Sequence, residues 1–183
     1  KEKSKSIILL NFNGGNQVIQ SIQSILARMK PEDELIIVDH CSHDGSLEQI
    51  KEIYDKDNII VWKRDKKYTF TESCNSAARM ATKEAIIFMN NDIVIEDGSF
   101  NDLVKILGYQ RVEIVGGSIY DTPHEEFSVL NNRTFPRCLR HRGVSLKFGG
   151  EYFVQGEFID SPLPCYAKDI NYLEVEAISG AII

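Results

Sequence analysis

Four short runs of mainly apolar, often β-branched residues, at 6–10, 35–38, 58–62 and 85–89, are separated by stretches whose apolar residues recur at helical spacing. Few folds accept that alternation. It is the sequence form of repeated βα units, which build a mainly parallel sheet with helices on its faces. The first helical stretch puts Val18, Ile22, Ile25, Leu26 and Met29 on one stripe and ends at Pro31. The second opens with Ser46 and Gln49 at the spacing of a capping box, with Leu47, Ile50 and Ile53 or Tyr54 inward. A third opens at Thr71 and carries Ala77, Ala78 and Ala81, small enough to let a helix lie close on a sheet. A fourth begins at Ser99 with Phe100, Leu103, Val104 and Leu107 inward, and 113–120 returns as a strand. The run at 58–62 is short and flanked by charge, which predicts a place near a sheet edge.

Beyond Tyr120 the pattern weakens. Pro123, Pro136, Pro162, Pro164 and Gly-rich bends cut the chain into short pieces, as in an irregular substrate-facing region or β-hairpins laid beside a sheet. Residues 172–183 turn apolar again and are still apolar at the last residue, so the complete protein is expected to run further. A length of 183 residues suits one domain with a continuous core. The net charge of −6 argues against general nucleic-acid binding, which depends on basic side chains. No apolar run approaches the length of a bilayer span. Cys41, Cys74, Cys138 and Cys165 form no Cys-x-x-Cys pair and read as reduced thiols, which points to the cytoplasm.

The residues that follow the apolar runs are the candidates for chemistry. The run at 85–89 stops at Asn90, Asn91 and Asp92, and the run at 35–38 stops at Asp39. Buried parallel strands present such residues at their carboxyl ends, where open α/β sheets bind ligands. Asp92 can supply the carboxylate share of a hard-cation site completed by phosphate oxygens, or the triplet can be a polar turn. An acid against a buried strand is costly without a partner, and a nucleobase imide or ribose hydroxyl donating to Asp39 would satisfy it. Asp44-Gly45 reads as a turn. His40, Cys41 and His43 contain metal-compatible atoms, but loop histidines are more often solvated. The loop 11–15 has two glycines ahead of a helix and can cradle phosphate on its amides, although it is neither a dinucleotide fingerprint nor a P-loop. Phe12 can stack on a base or join the core. Arg133, Arg137, Arg140, His141 and Arg142 form a basic cluster that reads first as a solvated face and second as a site for diphosphate, an acidic acceptor or lipid phosphate.

In order and spacing, Ser6-Ile7-Ile8-Leu9-Leu10-Asn11-Phe12-Asn13-Gly14, Ile36-Ile37-Val38-Asp39 with Ser42 and Asp44-Gly45-Ser46, Asn75, and Phe88-Met89-Asn90-Asn91-Asp92 resemble the inverting, nucleotide-sugar-dependent glycosyltransferases of family 2. The resemblance covers about the first 120 residues and implies the GT-A fold, a Rossmann-like mainly parallel sheet flanked by helices. It implies one domain over 1–183, truncated at its C-terminal end, with a nucleotide-sugar-binding half at 1–120 and the start of an acceptor side at 121–183. Donor contacts carried over are Asn11, Phe12, Asn13, Asp39, Ser42, Asn75, Asn90 and Asn91, with Asp92 holding Mg²⁺ or Mn²⁺. Asn90 stands where many members have Asp, a variant similar to rhamnosyltransferase-like members. Glu176-Ala177-Ile178-Ser179-Gly180-Ala181 is similar to the family's later acceptor-side strand. The general base that inversion needs is expected beyond residue 183, with Asp121, Glu125 and Glu126 as unsupported substitutes. The implied partners are a nucleotide-diphosphate sugar and a glycan or lipid-linked acceptor, the latter compatible with peripheral association at the inner membrane face. A sugar-nucleotide-binding module without transfer, or a nucleotidyltransferase of the same layout, are the alternatives.

Overall fold

The computed structural model describes residues 3–54, 57–95, 99–107, 114–115, 119–120, 139–141, 147–149 and 152–154. Four parallel strands form its main sheet: β1 (Lys5–Asn11), β2 (Glu34–Asp39), β3 (Ile59–Lys63) and β4 (Ala85–Asn90), in the order β3-β2-β1-β4. Between them run α1 (Gly15–Leu26), α2 (Ser46–Ile53) and α3 (Phe70–Ala78), and α4 (Ser99–Ile106) follows β4. The expected α/β alternation is therefore present, with the 58–62 run at the sheet edge.

The order has a direct consequence for function. Strands β1 to β3 step outward in one direction, and the chain then crosses back to place β4 on the far side of β1. Right-handed crossovers in opposite directions put their helices on opposite faces. α3 accordingly packs on β1 and β2 through Ala77, which joins Ile8, Ile36 and Val38 in one buried cluster. Ile7, Leu9, Leu35 and Ile37 alternate to the other face, and they are buried, as are Val18, Ile22 and Ile25 of α1 and Leu47 and Ile50 of α2. The reversal of direction falls between β1 and β4, and open α/β sheets bind ligands at the carboxyl ends of the strands at such a point.

Strand registry fixes what reaches that rim. Asn11 lies opposite Asp39, and Leu10 opposite Asn90, so the residues that end three apolar runs come out side by side. The opposite rim is closed by its own polar contacts. Lys5 and Asp33 are both completely buried and form an ion pair at 2.8 Å, with the Lys5 ammonium 6.0 Å from the Phe100 ring. Glu34 accepts from Ser6 Oγ at 2.6 Å and from the Thr82 amide at 2.7 Å and hydroxyl at 2.9 Å. Burial alone would raise the Glu34 pKa, but the hydrogen bonds from Ser6 and Thr82, with Lys83 nearby, hold it below its ordinary value.

Two local expectations change. The capping box forms at α3, where Thr69 and Glu72 bond reciprocally, rather than at Ser46 and Gln49. At α2 the N-cap is Gly45, held at φ 81°, and no side-chain cap is made to it. Of the expected strand at 113–120, Ile114 and Val115 are not in a strand and Ile119–Tyr120 form β5, which pairs antiparallel with β6 (Leu139–His141), while 113 and 116–118 lie outside the described residues. A second antiparallel pair, β7 (Lys147–Gly149) and β8 (Tyr152–Val154), gives the hairpin character expected of this region. Two compact units are distinguished, Lys1–Glu113 with Gly180–Ile183, and Ile114–Ser179. Among the described residues no helix is long and apolar enough to cross a membrane.

Replacing Asp33 with Ala should cost about 3–5 kcal/mol in urea unfolding, because it strands a buried ammonium. A loss below about 1 kcal/mol, the scale of an exposed pair, would show that Lys5 finds water or another partner.

Candidate functional site

Asn11 stands at the carboxyl end of the central strand β1 and is completely buried. Its carboxamide nitrogen lies 2.9 Å from Asp39 Oδ1, 3.0 Å from Ser46 Oγ and 3.2 Å from Ser42 Oγ, so its two protons are shared among three acceptors. Its carbonyl oxygen accepts from Asn91 Nδ2 at 3.3 Å. One side chain thus joins the ends of β1, β2 and β4 to the start of α2. The second Asp39 oxygen accepts the Ser42 amide at 3.0 Å. The Asp39 carboxylate, itself wholly buried, is therefore satisfied within the chain, which answers the cost that a lone acid there would carry.

Around this centre the two loops fold onto each other. The Asn13 amide donates to Ser42 Oγ at 3.0 Å, and the His43 amide donates to Asn13 Oδ1 at 2.8 Å. Asn13 and Cys41 both hold left-handed backbone, φ 51° and 58°, a conformation that Asn tolerates better than most residues. Asp44 accepts the Gly15 amide at 2.8 Å and both the amide and the hydroxyl of Ser46, at 3.1 and 2.6 Å. The bond from the Ser46 hydroxyl is the main reason the Asp44 carboxyl titrates below its usual range. A single exposed acid therefore serves the first turns of both α1 and α2. In loop 11–15, the Asn13 and Gly15 amides thus already have side-chain acceptors.

The remaining candidates divide by exposure. Phe12 is 45% exposed, with the Lys67 ammonium 4.6 Å from its ring, and Asn13 and Asp92 are exposed as well. Asn90 and Asn91 are half-buried, and Asn91 turns its amide inward to Asn11. Asn75 lies exposed on α3 and takes no part in the Asn11 hydrogen bonds. Asp121, Glu125, Glu126, Arg133, Arg137, Arg142 and 176–181 lie outside the described residues, and of Arg140 and His141 only the strand they belong to is described. Cys41 and Cys74 are free thiols. Among the described residues no three His, Cys, Asp or Glu side chains gather as a metal cluster. Among the described residues the donor set at the end of β4 is thus a single exposed carboxylate, which suits a cation that arrives with phosphate oxygens of its own rather than one held by protein alone.

Sequence reasoning overlooked Arg64 and undervalued His40. The Arg64 amide donates to the Asp39 carbonyl at 2.9 Å, and its guanidinium lies 4.1 Å from the Trp62 ring and 3.6 Å from the Tyr68 ring. The Trp62-x-Arg64 and Tyr68 spacing was the available signal for this stack. His40 is buried beside Asp39, and its Nε2 has no hydrogen-bond partner among the described residues. Burial first, and then the positive charge of Arg64, hold the imidazole below its ordinary pKa, with Asp39 acting the other way and Lys67 adding to the depression.

The fold is a Rossmann-like, GT-A-like parallel sheet flanked by helices, with polar residues gathered at the strands' carboxyl ends. The profile described as "Glycosyl transferase family 2" matches residues 6–159, and the chain belongs to that family. No curated protein sequence matches it. Among solved structures it is similar to the mannosyltransferase PcManGT of Pyrobaculum calidifontis, in complex with GDP-Man and Mn²⁺, at 19% identity and a TM-score of 0.56 over 61% of this chain and 34% of that one. It is similar also to TarS 1-349 of S. aureus in complex with UDP-GlcNAc, at 22% identity and a TM-score of 0.51 over 57% of this chain and 31% of that one. The match thus spans about a third of either relative's length, and at these identities the likeness is one of fold.

His40 generates a test. Its folded pKa lies below its unfolded value near 6.5, so between those values the unfolded chain binds more protons. Its contribution to stability is therefore complete above about pH 6.5 and lost as pH falls through the folded value. Urea unfolding at pH 7.5 and 5.5 should show a smaller loss on acidification for His40→Gln than for wild type. Equal losses would mean that His40 titrates normally.

Proposed function

We propose that this chain carries the donor-binding part of a glycosyltransferase that moves a sugar from a nucleoside diphosphate to a glycan or lipid-linked acceptor with inversion. The observation that carries the reading is the convergence, in a family 2 chain, of Asn11, Asp39, Ser42, Asn90, Asn91 and Asp92 at one end of one sheet. The GDP-Man and Mn²⁺ held by one structural relative and the UDP-GlcNAc held by another support a sugar-nucleotide ligand, and leave the base open. The rhamnosyltransferase-like variant of the site rests on Asn90-Asn91-Asp92 alone.

In this reading the nucleobase lies against the Phe12 ring, within reach of the exposed Asn13, and Lys67 adds positive charge at the same edge. Asp39, Asn11 and Ser42 act from beneath: their hydrogen bonds hold the Phe12 and Asn13 backbone in one conformation before the donor arrives, so binding does not have to order it. Asp92, with Asn90 beside it, would hold Mg²⁺ or Mn²⁺ against the donor diphosphate. When bound, such a cation neutralises charge that builds on the leaving nucleoside diphosphate. With one carboxylate there among the described residues, metal affinity depends on the nucleotide.

Calorimetric titration with uridine, guanosine and thymidine diphosphates, with and without Mn²⁺, tests this directly. One of the three should bind more tightly when Mn²⁺ is present. Asp92→Ala should remove at least about a tenfold share of that affinity, or 1.4 kcal/mol. It should leave unfolding free energy within about 0.5 kcal/mol, since Asp92 is exposed. No metal-dependent binding of any of the three would overturn the reading, and binding without turnover in the presence of acceptors would favour a binding module over an enzyme.

A further inference from the structure

The five residues that leave β4 form a short arch, and helix α1 holds both of its feet. At the first foot the Asn91 carbonyl accepts from Ser21 Oγ at 2.8 Å. At the second the Ile95 amide donates to Ser24 Oγ at 3.0 Å. The Ser24 hydroxyl proton goes to the Ser21 carbonyl at 2.7 Å, which fixes the oxygen's lone pairs toward Ile95. Asp92, Ile93 and Val94 span the interval, with Asp92 and Val94 exposed and Ile95 buried.

The residue types here are not what a helix face against a sheet requires. Val18, Ile22 and Ile25 supply the apolar stripe of α1, yet Ser21 and Ser24 lie on the same buried side. Hydroxyls in such a place lower stability unless they are hydrogen-bonded. Both are, and both bond to backbone groups of one segment. Residues three apart sit one above the other on a helix, so the pair sets a fixed spacing between residues 91 and 95.

A third tie crosses the same place. Asn91 reaches over Gly14 to Asn11, and a Cβ at position 14 would lie 2.6 Å from Asn11 Oδ1, 2.6 Å from Asn91 Nδ2 and 2.8 Å from Val18 Cβ. Only glycine leaves that passage open. The start of α1 is thus shaped to let the arch dock, and its next two turns hold the arch in register.

We propose that Ser21 and Ser24 are positioning residues that set the backbone carrying Asp92, and through it the coupling between metal and nucleotide binding. The proposal rests on the donor-site reading above. An arch held at both ends presents its carboxylate at one distance from the Phe12 and Asn13 edge, whereas a free loop of the same length would spread it over many. A purely structural role for the serines predicts a change in stability alone, while a positioning role predicts a change in metal coupling that stability does not explain. Partners that orient a metal ligand from behind contribute about 10- to 100-fold in metal affinity.

The experiment measures nucleoside diphosphate affinity with and without Mn²⁺ for wild type, Ser21→Ala, Ser24→Ala and Ser21→Thr, well below each variant's unfolding midpoint. The control is Ser73→Ala, which removes a buried hydroxyl on α3 that has no hydrogen-bond partner among the described residues. The Mn²⁺ enhancement should fall about tenfold in either Ala variant, with metal-free affinity unchanged. It should return in Ser21→Thr and stay whole in Ser73→Ala. If Ser21→Ala does not fold, Ser24→Ala carries the same expectation. Wild-type enhancement that persists in the Ala variants would overturn the serine proposal and leave the donor-site reading standing. Absence of enhancement in wild type would remove both.

Discussion

The Asn11 carboxamide is the contact on which the rest of the rim depends. It lies at zero exposure among Asp39, Ser42, Ser46 and Asn91, and it joins the ends of three strands to the first residue of a helix. An apolar residue of similar size would leave the Asp39 carboxylate without its side-chain donor in a place that water does not reach. A buried polar group in that position costs about 1–3 kcal/mol, and a charged one more. The same low dielectric strengthens each bond of a satisfied network. The carboxyl end of the sheet is therefore rigid for the reason that it is polar, and rigid at the places from which Phe12, Asn13 and Asp92 emerge.

The two ends of the sheet solve the same problem differently. At the amino end Lys5, Asp33, Glu34, Ser6 and Thr82 pair among themselves. At the carboxyl end the inner groups are paired while an outer set is left to the solvent: the Phe12 face, Asn13 and Asp92. A division between holding groups and presenting groups is what a preorganised ligand site requires, because the geometry is fixed before the ligand contributes any energy. The order β3-β2-β1-β4 supplies the position, since the connections change direction between β1 and β4, where sheets of this kind bind ligands.

Much of this was legible in the sequence, and what was not has a common cause. Runs of β-branched residues located all four parallel strands, and the polar residues that stop them located the rim. The Phe100, Leu103 and Val104 stripe was equally readable, because apolar periodicity is a local signal. The errors fall where the partner is distant. The Asn13 and Gly15 amides looked free for phosphate because their acceptors, Ser42 and Asp44, lie 29 residues away. Ser46 looked like a cap, but Gly45 takes the cap position and the Ser46 hydroxyl turns to Asp44 and Asn11. Asp39 read as an acid in need of a donor, and the sequence alone did not show that Asn11, 28 residues away, supplies one. Ser21 and Ser24 passed unnoticed within an apolar stripe whose spacing they share, since nothing in α1 alone indicates a bond to residues 91 and 95.

A double-mutant cycle between Asn11 and Asp39, read by urea unfolding, tests the central claim most directly. If the two side chains belong to one network, Asn11→Ala and Asp39→Ala will each destabilise strongly. The double variant will then lose less than the sum, by about 1–3 kcal/mol. Additivity to within about 0.3 kcal/mol would contradict the account, since it would mean that the carboxamide and the carboxylate act independently at the end of the sheet.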